Sequence, residues 1–345
     1  MKKHAVAILG ASGYTGAELI RSLLCHPNIE IKSLAAYSQA GLAMEQIFPH
    51  LAYAILPQVT HIDAVNYDEI ELVFCCLPHA ASQKIIANLP KHLRIIDLSA
   101  DFRLRDIAEY EKYYGATHQA TELQDIAVYG LSEHYRTEIA DAKLVANPGC
   151  YPTCTLLPLI PLLQAGVIAP QNIIIDAKSG VSGAGRSVSQ HLLFNEVAEG
   201  MSAYAVNNHR HIGELQQEIN HFNATQIPIT FVPHLIPMRR GMMVTSYAQL
   251  KPEYSIAEAR NILQNAYQNE QFVHILPENI MPSTHHVRGS NHCCINIMQG
   301  GDNQIILISV IDNLQKGSSG QAVQNMNIML KLPENNGLQQ TALFP

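Results

Sequence analysis

Ala5-Val6-Ala7-Ile8-Leu9-Gly10-Ala11-Ser12-Gly13-Tyr14-Thr15-Gly16 passes from an unbroken apolar segment into three spaced glycines. The apolar part reads as a short buried strand. Residues 17–26, apolar at 19, 20, 23 and 24, read as a helix that Pro27 stops. Glycines between a strand and a helix let the backbone approach a pyrophosphate at the helix N-terminus. The bare spacing also fits an ordinary tight turn, but the strand before it and the helix after it favour a dinucleotide held by Gly10, Ser12, Gly13, Tyr14, Thr15 and Gly16.

Residues 29–35, 71–77 and 93–99 read as further strands, with a helical stretch between the last two. Strands apolar on both faces that alternate with helices imply a parallel sheet covered on both sides, an α/β unit of Rossmann type. A site for NAD places Asp or Glu near the end of the second strand to hold the ribose 2′-hydroxyl. Here that region is Ala35-Ala36-Tyr37-Ser38-Gln39-Ala40-Gly41, without an acid. NADP is therefore the expected cofactor, with Ser38 at its 2′-phosphate; the alternative is Ser38 as a plain turn residue.

Beyond residue 148 the pattern changes. Longer strand-like runs at 172–177, 230–236, 243–250, 292–298 and 304–311, with one clear helix at 256–267, predict an α+β domain on a mixed or antiparallel sheet. The expected division is 1–148 for the nucleotide domain, 149–312 for a catalytic and dimerisation domain, and 313–345 for a closing segment. Within the last, Gln321–Leu330 has the apolar spacing of one helical face.

A chain of 345 residues, 47% hydrophobic, is long enough for two cores. Its net charge of −7, spread along the chain, argues against nucleic acid or an anionic membrane as the main partner. The apolar stretch 154–169 is interrupted by Pro158, Pro161, Gln164 and Gly166, and reads as too short and too broken to span a bilayer. The start, Met1-Lys2-Lys3 before an apolar run, has a signal peptide as its other reading, but the run ends after a few residues in the glycine turn. Seven cysteines without disulfide-like spacing point to a reducing, cytoplasmic setting.

Asn147-Pro148-Gly149-Cys150-Tyr151-Pro152-Thr153 sets one cysteine after a tight turn and ahead of an apolar run able to start a helix. Helix N-termini favour thiolates, so Cys150 is a candidate nucleophile, whereas Cys154, one turn later, faces a core. The bland reading of Cys150 is a small buried hydrophobe. Proton transfer near neutral pH calls for histidine, and His209-Arg210-His211 with Glu214 stands out among seventeen histidines. In a helix opening here, His211 and Glu214 are neighbours at i and i+3. A surface charge cluster and a metal site are the alternatives; no further residue with ligand-like spacing lies nearby, so no metal is expected. Arg103, Arg186 and the Arg239-Arg240 pair are candidates for a carboxylate or phosphate on the substrate, with Tyr204, Arg210 and Glu214 as further substrate contacts.

These motifs resemble those of the N-acetyl-gamma-glutamyl-phosphate reductase family, within the wider aspartate-semialdehyde dehydrogenase type of fold. The likeness runs through Gly10–Gly16, Leu98–Arg103, Asn147–Thr153, Ser179–Arg186, His209–His211, Pro233–Met242 and Asp312–Gly317 in order. It implies an NADP-dependent enzyme of arginine biosynthesis in which Cys150 is the nucleophile and His209 or His211 moves the proton. It also implies that Ser179, Gly180, Gly183 and Asn313 help hold the nicotinamide half, and that the last helix returns to the nucleotide domain. The implied partners are an acyl phosphate and inorganic phosphate, with a homodimer or homotetramer as the assembly. Gln39 departs from the arginine that the family often sets beside the serine, which weakens the 2′-phosphate grip. Other readings are reductases of aspartyl phosphate or of an amino-adipate derivative in lysine synthesis, or a nucleotide-binding regulator without catalysis.

Overall fold

In the computed structural model, which describes residues 3–223 and 225–344, the apolar runs become two seven-stranded sheets. The first contains β1 (His4–Leu9), β2 (Ile29–Ala35), β3 (Val59–Thr60), β4 (Leu72–Cys75), β5 (Arg94–Asp97), β6 (Ala127–Tyr129) and β7 (Leu144–Ala146), in the order β3-β2-β1-β4-β5-β7-β6. Every pairing is parallel, and β1 and β4 are buried almost throughout, as a sheet covered on both faces requires. Chain order reverses between β1 and β4. In such sheets the crevice at the carboxyl ends of these two strands is where ligands bind.

The second sheet contains β8 (Ile173–Gly180), β9 (Ser202–Ala203), β10 (Ile229–Ile236), β11 (Met242–Gln249), β12 (Val273–Ile275), β13 (Cys293–Gln299) and β14 (Gln304–Ile311). Its order is β12-β13-β14-β11-β8-β10-β9. The β10–β8 and β12–β13 pairs are parallel and the rest antiparallel, so the sheet is mixed. β11 alternates buried and half-buried residues along its length, the signature of a sheet with one covered face.

The helix Cys150–Gln164 supplies much of the cover of this sheet, and it corrects the expectation of a broken segment. It runs unbroken through Pro158 and Pro161. Each proline removes the N–H that would bond the carbonyl four residues back, leaving Cys154 O and Leu157 O without helical partners. The Ser309 hydroxyl donates to Cys154 O at 2.6 Å, and the Tyr267 hydroxyl donates to Leu157 O. Two side chains from elsewhere in the same unit thus complete the helix that the prolines would interrupt.

Two compact units follow. The chain passes from the first to the second between Pro148 and Gly149, back to the first between Gly317 and Ser318, and to the second again between Gln339 and Gln340. Residues 313–317 therefore belong with the second sheet, not with the closing segment expected to begin at 313. The helix Gly320–Met329 is buried on all sides in the first unit rather than on one face. Several of its amides bond within that unit: Gln321 and Asn325 donate to Gly130 O, and Asn327 Oδ1 accepts from His26 Nε2 at 2.8 Å.

Candidate active site

The nucleotide turn follows from the local needs of its three glycines. Gly10 has φ +85°, and a Cβ there would lie 2.3 Å from Cys76 O, so only glycine fits beside β4. A Cβ on Gly16 would lie 2.6 Å from Ala11 O, which lets the helix Tyr14–Leu24 start close against the turn. Gly13 caps that helix without a side-chain bond. Nothing but Gly10 O, at 3.7 Å, approaches the place of its missing Cβ, and no acid stands in the first turn. A helix start of this kind, with backbone N–H groups uncovered by side chains and no negative charge, fits a pyrophosphate. Ser38 is exposed just beyond β2, and Tyr37 beside it meets His61 edge to face at 5.3 Å. No carboxylate occupies the stretch 35–41.

In the second unit Cys150 is the first residue of its helix, with Gly149 as the cap. That position places the thiol where the helix N-terminus favours its ionised form. The cap is anchored by Glu214, whose Oε1 accepts the Gly149 N–H at 2.8 Å. Residue 317 presses on Cys150 from another side: a Cβ on Gly317 would lie 2.8 Å from the Cys150 Cβ. Cys154, one turn on, is fully buried, and burial pushes its thiol up to about 12, which leaves it a core residue as its spacing predicts.

Next to Cys150 on the same helix, Tyr151 joins an aromatic group, and Tyr151 and Tyr204 both feel the charge of Cys150. The Tyr151 and Tyr204 hydroxyls are 3.0 Å apart; burial raises Tyr151 well above the usual range and partial burial raises Tyr204, so both remain protonated at neutral pH. His209 packs against Tyr151, Tyr204 and Phe231, with ring centres 5.4, 5.6 and 5.6 Å away, and against His211 at 4.7 Å. The loop carrying it is clamped to β10: Asn207 N–H donates to Phe231 O, and the Asn207 side chain accepts the Phe231 N–H. His209 Nδ1 accepts the His211 N–H at 3.1 Å, which assigns the ring proton of the neutral form to Nε2. Burial, and then the Arg210 charge, lower His209 to about 4, so it is neutral at pH 7. His211 is the first residue of the helix His211–His221 and meets Tyr151 at 5.9 Å.

Several predicted site residues sit otherwise than expected. Glu214 is buried beneath the Gly149 turn, which suits an anchor of the nucleophile's helix and not a substrate contact. Arg103 is buried in the first unit and donates to Asn147 O at 2.7 Å and Leu98 O at 3.2 Å, a brace for the backbone in place of an open anion site. Arg240 pairs with the buried Asp312. Asn313 is buried too: its oxygen accepts the Gly241 N–H at 2.7 Å and its nitrogen donates to the Ser182 hydroxyl at 2.9 Å, so it shapes the glycine-rich loop from behind. Ser179 is buried with its hydroxyl on Gly180 O, and Gly180 lies tight against Met238 O. Gly183, Arg186, Tyr204 and Arg210 lie at the surface. Tyr151, which links Tyr204, His209 and His211, has no sequence signal beyond adjacency to Cys150. Among the described residues no cluster of three or more His, Cys, Asp or Glu can hold a metal ion, and no helix is long and apolar enough to cross a membrane.

Comparison with known proteins bears on both units. Residues 5–142 match the semialdehyde dehydrogenase NAD binding domain family, and residues 150–313 match the semialdehyde dehydrogenase dimerisation domain family. The chain is 50% identical over 345 residues to a probable N-acetyl-gamma-glutamyl-phosphate reductase, chloroplastic, of Arabidopsis thaliana, covering all of this chain and 86% of that one. It is 50% identical over 346 residues to the N-acetyl-gamma-glutamyl-phosphate reductase of Rhodospirillum rubrum, covering 99% and 98%. The crystal structure of aspartate semialdehyde dehydrogenase with NADP from Candida albicans shares the fold, with a TM-score of 0.68, 16% identity, and 97% and 99% of the two chains covered.

Proposed function

The chain belongs to the N-acetyl-gamma-glutamyl-phosphate reductase family, and on that premise we propose that it reduces N-acetyl-gamma-glutamyl phosphate to N-acetyl-glutamate semialdehyde with NADPH, in arginine biosynthesis. The observation that carries the reading is Cys150 at the first turn of a helix, followed by a Tyr151 that packs against His209 and His211 and meets the Tyr204 hydroxyl, in a chain whose other unit has a glycine turn fitted to a pyrophosphate. The Cys150 thiolate attacks the acyl carbon, the carbon–oxygen bond to phosphate breaks, and inorganic phosphate leaves a thioester. NADPH, when bound at the Gly10–Gly16 turn and Ser38, supplies the hydride that the thioester carbon accepts. The resulting oxyanion takes a proton to give a thiohemiacetal. Removal of that proton and rupture of the carbon–sulfur bond then release the aldehyde and return the thiolate.

The two histidines divide this work. His209 is neutral with its proton on Nε2, which suits a fixed hydrogen-bond donor to the oxyanion; such a donor is worth about 3 kcal/mol. His211 is then the group that gives and takes the proton. Arg186 and Arg210, at the surface of the same unit, are the proposed contacts for the substrate's anionic groups. The dimerisation domain family match supports a homodimer or homotetramer, which sedimentation measures. A nucleophilic thiol needs a reducing compartment, and the cytoplasm is the one proposed.

The test runs the reaction backwards: purified protein receives N-acetyl-glutamate semialdehyde, phosphate and NADP, and absorbance of the reduced cofactor is followed. Phosphate-dependent reduction is expected, with a loss of about 10⁴-fold or more in Cys150→Ser. Absence of that reduction, or a rate unchanged in the variant, overturns the reading. Aspartate semialdehyde as the faster substrate would move the assignment to the other branch.

A further inference from the structure

Behind the nucleotide turn, the first unit buries a line of oxygen atoms that the proposed reaction does not use. Asp97 ends β5, and Ser82, Ser99 and Asp101 stand beside it; all four are sealed from solvent. Asp97 Oδ2 lies 2.6 Å from Ser99 Oγ, Ser99 Oγ lies 2.7 Å from Ser82 Oγ, and Ser82 Oγ lies 2.7 Å from Asp101 Oδ2. Oxygens this close share a proton, so three contacts need three protons. Two hydroxyls supply two. The third must sit on a carboxyl group.

Asp101 is already filled with donors. Its Oδ1 accepts from the Ala80 N–H and the Tyr110 hydroxyl, and its Oδ2 from the N–H and hydroxyl of Ser82 and the N–H of Gln83. Asp97 Oδ1 accepts the Ser99 N–H, and its Oδ2 has no shorter contact than Ser99 Oγ. Ser99 Oγ also receives the Asp101 N–H, so its own proton is directed onward to Ser82. We propose that Asp97 is a carboxylic acid in the folded protein and heads a one-way chain, donating to Ser99, which donates to Ser82, which donates to Asp101.

The chain positions the turn after β4. Asp101 holds the N–H groups of Ala80, Ser82 and Gln83, and Ala80 has φ +65°, a conformation that a non-glycine residue keeps only when it is held. This turn continues from Cys76, the residue on which Gly10 closes. Asp97 is thus a positioning residue for one wall of the nucleotide turn. The acid stands whether or not a dinucleotide binds; only its effect on NADP affinity rests on the function proposed above.

The surroundings agree. Burial pushes Asp97 up to about 7, with the Asp101 charge adding to it, while the Ser99 bonds and the Arg103 charge act the other way. Of the other titratable groups facing Asp97, Cys75 on β4 and Cys76 have thiols that burial raises further out of range, so neither contributes charge. Asp97 pairs across β5 with Ala146 on β7, which has no charge.

The folded protein then holds a proton that the unfolded chain, with Asp97 at about 3.8, gives up. Its stabilising effect is full below about 3.8, declines by up to tenfold in the folding constant per pH unit as pH rises toward about 7, and is gone above that. Asp97→Asn keeps the chain, since its amide N–H donates to Ser99, but cannot titrate. Infrared difference spectra of wild type and Asp97→Asn at about pH 5, within this window, are expected to show one protonated carboxyl band that the variant lacks. The melting temperature of wild type relative to Asp97→Asn should fall through the same window. Calorimetric titration with NADP should find Asp97→Asn within about threefold of wild type and Asp97→Ala weaker by about tenfold. A missing carboxyl band, a melting difference flat with pH, or Asp97→Asn as weak as Asp97→Ala overturns the chain. If Asp97→Ala does not fold, the first two measurements decide. NADP binding to none of the three proteins would instead count against the nucleotide reading.

Discussion

Gly317 and Cys150 are separated by most of the second unit in sequence, yet residue 317 leaves no room for a side chain beside the thiol's own carbon. Gly317→Ala is expected to cost about 1–3 kcal/mol of stability, read by thermal melting, and to lower kcat by moving the nucleophile. The histidines separate by kinetics. His211→Asn should remove one limb of the pH–rate profile with a loss of about 10²–10⁴-fold, while His209→Asn should keep the profile's shape and lose about 10²-fold in kcat. Identical profiles for the two variants would refute the division of roles. The place of Cys150 at the start of a helix was legible because a Pro-Gly turn and an apolar run are local signals. The placing of Gly317, Tyr151 and the Glu214 carboxylate was not, since each depends on contacts between residues far apart in the chain. Arg103 shows the same limit from the other direction: arginine in a polar motif reads as an anion binder until its carbonyl partners are seen.

At the level of elements, the helix Cys150–Gln164 tests how far a proline rule reaches. Ser309→Ala removes the donor to Cys154 O and Tyr267→Phe removes the donor to Leu157 O. Each leaves one buried carbonyl unsatisfied, for an expected loss of about 1–3 kcal/mol in denaturant unfolding. A loss well under 0.5 kcal/mol in both, roughly the scatter of neutral substitutions, would mean the helix does not need these hydroxyls. The long strands β1, β2, β8, β10, β11, β13 and β14 were visible as apolar or alternating runs, because burial of several consecutive residues leaves a periodic trace. β3, β9, β12, β6 and β7 have two or three residues each. Such strands exist by pairing with a neighbour and leave no period to read. Two prolines read from sequence as a break for the same reason: the hydroxyls that repair the helix come from β14 and from the helix Ile256–Tyr267.

For the molecule as a whole, titration of the second unit has a sign opposite to that of Asp97. His209 and His292 are both lowered from 6.5 to about 4, first by burial, with His274 at 2.8 Å adding to the effect on His292. The unfolded chain therefore binds these protons and the folded unit does not. Their neutral forms support the fold above 6.5, and that support fades as pH falls toward about 4. Hydrogen exchange at about pH 5 should accelerate in the second sheet relative to neutral pH, and His292→Asn should blunt the change. The shift in strand pattern near residue 148 is a local signal, whereas the enclosure of the last helix on every side is not, because apolar spacing on one face does not announce a segment buried all round. The wholly enclosed helix Gly320–Met329 has a consequence for biosynthesis. A ribosome that has delivered the first 148 residues has made every strand of the parallel sheet but not the helix that plugs it, and residues 149–319 must emerge before that helix begins. The nascent amino-terminal half waits with an open seam, and a stall or premature stop anywhere in the second half leaves it for chaperones to shelter or proteases to clear.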